Sequence, residues 1–198
     1  MDCFDALSRR DADRGPHCPE ASTEWVAQQL DQTHRDFMAD FGATAIFDVD
    51  DLGEVLFCHA SPRSDEEILT SASPDRRVRD ALFRTEQRTV VCGHTHMQYQ
   101  RKVGGSLIVN AGSVGMPYGP PGAFWALLGP GVSLRHTSYN FAGAAETIRG
   151  CPYPDGDAFA DDHILRPPSA AEAIEVLETE AERRARSNSA FRSDSDPA

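Results

Sequence analysis

The sequence predicts an α/β fold, and three observations carry that prediction. Thr89-Val90-Val91-Cys92 is a continuous, mostly β-branched run that stops at Gly93, as expected of a strand covered on both faces of a sheet. Segments with helical spacing of apolar residues stand on either side of it, at Thr23 to Phe41, at Asp75 to Arg84 and from Ser169 onward. Short apolar runs are joined in pairs across Asp50-Asp51-Leu52-Gly53, Gly104-Gly105 and Gly129-Pro130-Gly131, which reads as hairpins beside the buried strand.

Each element follows from its own residues. The segment 1–22 is polar, contains the turn signal Gly15-Pro16 and reads as irregular. Val26, Leu30, Thr33, Phe37 and Phe41 recur at helical spacing before Gly42, predicting one packing helix from Thr23 to Phe41. Thr44 to Val49 and Glu54 to Cys58 make the first hairpin. Ser73-Pro74 opens a helix from Asp75 to Arg84, with Val78 and Leu82 on one face. The Thr89 strand follows, then a hairpin of Gln98 to Val103 with Ser106 to Val109. Phe124 to Leu128 pairs with Val132 to Ser138, and Phe141 to Arg149 is a helix. Ser169-Ala170-Ala171-Glu172 is a capping box that opens a last helix bearing Ile174, Leu177 and Ala181 on one face. The folded domain is expected over 23–183, and the polar segment 184–198 is expected to be a disordered tail.

Composition narrows the function. A chain of 198 residues, 40% hydrophobic and 25% charged, fits one soluble domain with a real core. Its formal net charge of -12 argues against a nucleic-acid polymer or an anionic membrane as partner. It leaves room for a small anion held by metal ions, because a local cation outweighs the distant field. No apolar run approaches the length of a membrane span, and Met1 to Arg14 lacks the apolar core of a signal peptide, so a cytoplasmic location is expected. Five scattered cysteines read as reduced thiols.

Chemistry-bearing residues collect at predicted strand ends, where α/β sheets bind their ligands. His59 follows the second strand and precedes Ala60-Ser61-Pro62. Gly93-His94-Thr95-His96 follows the Thr89 strand, and Asn110-Ala111-Gly112-Ser113-Val114-Gly115 follows the strand at Ser106. Read alone, each histidine is as compatible with a hydrogen-bonded structural group as with a ligand, and the glycine-rich segment with ordinary turns.

In this order and strand context, His59, Gly-His-Thr-His and Asn-Ala-Gly-Ser-Val-Gly-Met-Pro resemble the C-terminal half of the calcineurin-like metallophosphoesterases, in particular their small bacterial and archaeal phosphodiesterase branch. The resemblance runs from about Thr23 to Glu182. It implies a β-sandwich flanked by helices, here a partial one lacking its first strands, with two metals at the strand ends. It further implies that His59 and His94 ligate one metal and His96 the other, with Gly93, Asn110, Gly112 and Ser113 supporting the site from behind. The cofactor implied is a divalent metal (Mn, Fe, Zn or Ni), since neutral imidazole suits all of these. The substrate implied is a small phosphate ester, clamped and attacked by a metal-activated water.

The sequence departs from the family at two places. Ala60 stands where glycine is usual after His59. The family's Asp-x-His, Gly-Asp-x-x-Asp and Gly-Asn-x-Asp segments do not occur upstream of Thr23, and His17, Asp11 and Asp13 lack a preceding strand. The chain therefore reads as a fragment or a degenerate homologue. No catalytic acid or base is assignable, at most one metal is expected, and phosphoesterase activity is expected to be weak or absent. Two rival readings stand beside this one. A mononuclear zinc module could use Cys58, His59, Cys92 and His94. Alternatively, a non-catalytic chain could be completed by another chain, or form a homo-oligomer, through the sheet edge that missing strands would expose.

Overall fold

The computed structural model describes residues 19–193, with side chains from 22 to 187. The expectation of an irregular start falls largely on residues 1–18, outside the described residues, as do Asp11, Asp13 and His17. The elements are α1 (Pro19–Gln29), α2 (Gln32–Ala39), β1 (Thr44–Val49), β2 (Gly53–Cys58), α3 (Asp75–Ala81), β3 (Thr89–Cys92), β4 (Tyr99–Val103), β5 (Ser106–Asn110), β6 (Ala123–Leu128), β7 (Val132–Thr137), α4 (Phe141–Arg149), α5 (Gly156–Phe159), a π-helical segment Ala160–Leu165 and α6 (Ala170–Ser193). This is the α/β architecture the sequence predicts, a central sheet flanked by helices.

The central sheet has five strands in the order β1-β2-β3-β5-β4. Both outer pairs, β1 with β2 and β4 with β5, are antiparallel hairpins. The inner strands β2, β3 and β5 are parallel, with Phe57 beside Val91 and Cys92 beside Asn110. Parallel neighbours finish on the same side, so the segments after Cys58, Cys92 and Asn110 emerge together at one edge. That topology assembles the site.

Alternation along the inner strands feeds two cores. Leu56, Val90, Cys92 and Ile108 pack with Leu69, Val78, Ala81 and Leu82, which places α3 over that face. Val55, Val91 and Val109 point the other way, against Ala126, Leu128, Val132 and Leu134 of the β6–β7 hairpin. The central strands are therefore apolar on both faces, as the run at Thr89 required. Each fully buried valine or isoleucine here contributes about 1.5–3 kcal/mol.

A third cluster joins Ile68, Met97 and Tyr118 to Ala173, Leu177 and Ala181 of α6. The capping box opens that helix as read: Glu172 N–H donates to Ser169 Oγ at 3.3 Å and Ser169 N–H donates to Glu172 Oε2 at 3.2 Å. Helix α6 runs on to Ser193, so much of the segment expected to be a disordered tail is helical. A separate cluster of Ala145, Ala160 and Ile164 holds α4 to the π-helical segment. Helix α1 docks near it, through Trp25 against Tyr153 and Ser22 Oγ donating to Asp155 at 2.8 Å.

The single helix expected from Thr23 to Phe41 is two helices. Asp31 is the reason: its carboxylate accepts from His34 N–H at 2.9 Å and starts α2 as an N-cap. Neither does this region pack as expected, for α2 has no buried residue, and Val26, Phe37 and Phe41 are all exposed. Strand β1 is similar. Thr44 to Asp48 are exposed on both faces, and β1 forms the outer edge of the sheet.

Candidate functional site

The loop after β3 is held from both sides by backbone. Gly93 N–H donates to the His59 carbonyl at 2.8 Å, and Ala111 N–H donates to the Cys92 carbonyl at 3.1 Å. The three segments singled out in the sequence are thereby laced together at the sheet edge. Within the loop, His94 and His96 both adopt left-handed backbone, with φ of 63° and 55°. Such a conformation costs roughly 1–2 kcal/mol per non-glycine residue, so something must hold it.

Thr95 holds it. Its side chain is fully buried, donating through Oγ1 to the Leu69 carbonyl at 3.2 Å and accepting from Asn110 Nδ2 at 3.0 Å. Asn110, also fully buried, donates through the same Nδ2 to the Gly93 carbonyl, and its Oδ1 accepts from Gly112 N–H at 2.9 Å. With Thr95 anchored inward, the two histidines on either side of it turn outward.

His59 Nε2 and His94 Nδ1 lie 3.2 Å apart, with ring centroids 5.1 Å apart. Two nitrogens bound tetrahedrally to one zinc at 2.0–2.1 Å would lie about 3.3 Å from each other. The contact is an N–H···N hydrogen bond between the rings, and its length is also the spacing of two ligands on one cation. His96 stands apart from that contact. Its Nδ1 lies 3.0 Å from the Met116 carbonyl, which can only accept, so Nδ1 carries the proton. Burial holds the His96 imidazolium below its ordinary pKa, against the Met116 carbonyl and aided by His59. The ring is therefore neutral at pH 7 and its lone pair is on Nε2, the form a metal requires.

The glycine-rich segment buttresses this arrangement. Gly112 has φ of 84°, and a Cβ there would lie 2.7 Å from Phe124 Cβ. Ser113 Oγ accepts from Met116 N–H at 2.9 Å, and its carbonyl accepts from Phe124 N–H at 3.0 Å. Met116, which fixes the His96 tautomer, is thus itself fixed through Ser113.

The histidines fit one wall of a metal site and do not complete it. Among the described residues, no group of three His, Cys, Asp or Glu side chains converges to hold an ion. The zinc-module reading meets the same shortfall, since Cys58, His59, Cys92 and His94 form no such group among the described residues. Cys92 is buried in the core beneath the sheet edge, with Cys58 packed beside it. Burial pushes the Cys58 thiol up to about 11 and the Cys92 thiol higher still, so both favour the neutral thiol in the metal-free chain. Cys58, Cys92 and Cys151 are free thiols.

Sequence reading does not single out Thr95, the Met116 carbonyl or Gln98. Gln98 Nε2 shares its two hydrogens among the carbonyls of Ala111, Trp125 and Arg135, bracing the end of β5 against the β6–β7 hairpin. The alternation in His-Thr-His is the available signal for Thr95, since the residue between two outward side chains faces inward.

Comparison with known proteins bears on the family and the fold. The calcineurin-like phosphoesterase superfamily domain matches residues 13–128. A hypothetical protein, PH1004 from Pyrococcus horikoshii OT3, has a similar solved structure, with a TM-score of 0.59 and 16% identity over 84% of this chain and 71% of that one. A metallophosphoesterase from Sphaerobacter thermophilus is also similar, with a TM-score of 0.54 and 20% identity over 78% of this chain and 71% of that one. No curated protein matches. At these identities the likeness is one of fold. Among the described residues, no helix is long and apolar enough to cross a membrane. With its domain match spanning more than half of its length, the chain belongs to the calcineurin-like phosphoesterase superfamily.

Proposed function

We propose that this chain carries the histidine wall of a metal-dependent phosphoesterase site. In this reading His59 and His94 hold one divalent cation and His96 faces a second position. The substrate is a small phosphate ester, a phosphodiester by resemblance. The observation that carries the reading is the 3.2 Å approach of His59 Nε2 to His94 Nδ1 at the ends of adjacent parallel strands. A bound cation would polarise a phosphoryl oxygen and acidify a water. The chain's own part is to hold the rings. Thr95 and Asn110 fix the loop that presents them, and the Met116 carbonyl keeps the His96 proton on Nδ1, which leaves Nε2 to ligate.

The second half of the proposal is that this 198-residue polypeptide, on its own, is weakly active or inactive. Two-metal phosphoryl transfer needs a bridging ligand and donors on both ions. Among the described residues no carboxylate joins the histidines.

Metal loading tests both halves. The purified chain is stripped with chelator, reloaded with Mn²⁺ or Zn²⁺, and assayed for bound metal and for turnover of bis(p-nitrophenyl) phosphate. About one metal per chain, lost in His94→Ala, is the expected result, with little turnover. Absence of bound metal would overturn the histidine wall. Robust metal-dependent turnover that His94→Ala removes would keep the wall and overturn the impairment.

A further inference from the structure

His96, which stands apart from the His59–His94 contact, borders a second feature. On one side of His96 lies an open cavity of about 230 Å³, bordered by the loop after β3, the β5–β6 segment and the first turns of α6. Tyr118 and Phe124 give it aromatic walls, Ile174 an aliphatic one, and Ser71 and Gln98 stand at its polar side. No Lys, Arg, Asp or Glu lines it. Gln98 uses its Nε2 hydrogens on backbone carbonyls, which leaves Oε1 as its remaining polar atom.

The cavity is framed by ordered structure. Tyr118 is buried in the cluster that joins Met97 to α6, and Gly119 N–H donates to the Pro168 carbonyl at 2.8 Å, pinning the start of α6 to the β5–β6 segment. Phe124 is held against Gly112 and stacks on His136 at 4.5 Å. Drug-sized ligands occupy cavities of roughly 300–1,000 Å³, so this one suits one small planar group, a single ring or a fused pair.

We infer that this cavity is the subsite for an uncharged, planar aromatic group on the phosphate ester, seated against Tyr118 and Phe124 while the phosphate lies on the other side of His96. The inference rests on the phosphoesterase reading above. A phosphate ester has a charged half and an organic half. The His59–His94 pair suits the first, and a small uncharged cavity with aromatic walls, lined by the neighbouring His96, suits the second.

Ligand-observed saturation-transfer NMR on the full chain tests it, before and after zinc loading. The probes are phenyl phosphate, adenosine 5′-monophosphate, methyl phosphate and phenol. Phenyl phosphate should bind about tenfold or more tightly than methyl phosphate, the gain that 1.4 kcal/mol of ring burial gives. Ala170→Phe, at an exposed position lining the cavity, should abolish that preference without changing bound metal. Ile174→Trp, which fills the same space from the next turn, should do the same. Equal binding of phenyl and methyl phosphate, or a preference that survives both variants, overturns the subsite. Phenol separates the two proposals. If the chain takes up no metal, yet phenol binds it and fails to bind Ala170→Phe, the cavity keeps its aromatic site and the phosphoesterase reading falls. Tighter binding of the adenosine ester than of phenyl phosphate identifies a nucleobase as the natural ring, and the reverse a simple aryl group.

Discussion

Asn110 Nδ2 donates to Thr95 Oγ1 at 3.0 Å, and Thr95 in turn donates to the Leu69 carbonyl at 3.2 Å. This short chain of bonds ties the end of β5 to the middle of the His-x-His loop and then to the segment that precedes α3. Asn110→Ala would leave the Gly93 carbonyl, the Thr95 hydroxyl and the Gly112 N–H short of a partner in a dry site. The expected cost is about 2–4 kcal/mol. Thr95→Val should cost less, about 1 kcal/mol, because the Leu69 carbonyl keeps a second donor in the Tyr99 hydroxyl at 3.1 Å. Urea unfolding of the two variants checks the ranking. Equal stabilities would mean that the asparagine is not the hub.

Gly112 and Gly105 both have positive φ, yet they should respond differently to alanine. At Gly105, with φ of 90°, a Cβ meets nothing within 4 Å, so only backbone strain of about 1–2 kcal/mol applies. At Gly112 a Cβ meets Phe124 Cβ at 2.7 Å and Gln98 Cβ at 3.1 Å. Overpacking adds about 1–3 kcal/mol to the strain. Gly112→Ala should therefore melt well below Gly105→Ala in thermal denaturation, and it should also weaken metal uptake, since Gln98 and Phe124 brace the loops around His96.

The residues of the candidate site are legible because each sits at a local signal. His59, the His94 loop and Asn110 all follow short apolar runs, and the runs are adjacent parallel strands with Cys92 beside Asn110. Hairpin β1–β2 is equally plain, from alternation around a turn with Gly53 at φ of 67°. What is not legible depends on partners distant in sequence. Leu69, which receives Thr95 and Tyr99, lies 26 and 30 residues from them, and no periodicity points to a carbonyl. The break at Asp31 is hidden because the apolar spacing of Val26, Leu30, Phe37 and Phe41 runs across it. A cap hydrogen bond outweighs that pattern, and no partner surface rewards it, since Phe37 and Phe41 are exposed.

Glu178 predicts an acid limb for stability. Its carboxylate accepts from Thr70, from Ser73 at 2.6 Å and from Arg77 at 2.7 Å, bridging α6 to the start of α3. Burial opposes its ionisation, but the three donors outweigh burial and hold its pKa below the ordinary 4.5. A depressed folded pKa means the folded state favours the ionised form. The stabilisation is thus fully present above the unfolded value and lost as pH falls through the folded one. Unfolding free energy should be level from pH 7 to about pH 5 and decline below it. Glu178→Gln should lower stability at pH 7 by about 1–3 kcal/mol and flatten that decline. An unchanged acid limb in the variant would assign the decline to other carboxylates.

The outer edge of β1 predicts self-association. Ile46 and Phe47 are neighbours in a strand, so they face opposite sides of the sheet, and both are exposed. Phe47 contacts Phe57 at 5.6 Å, and Phe37 stacks edge-on with Phe41 at 4.9 Å nearby in sequence. Among the described residues no strand pairs with the outer edge of β1, and such an edge with apolar residues on both faces is a template for another strand. The net charge of -12 opposes that association but is screened at high salt. The apparent mass in light scattering after size exclusion should therefore rise with protein concentration, and more so in salt. Phe47→Lys should restore the monomer. That choice separates the causes: lysine reduces the net negative charge, which by itself would favour association, so a monomeric variant assigns the contact to the apolar edge. A wild-type chain that stays monomeric at high concentration and high salt would mean that the edge is already protected, and Phe47→Lys would then leave the mass unchanged.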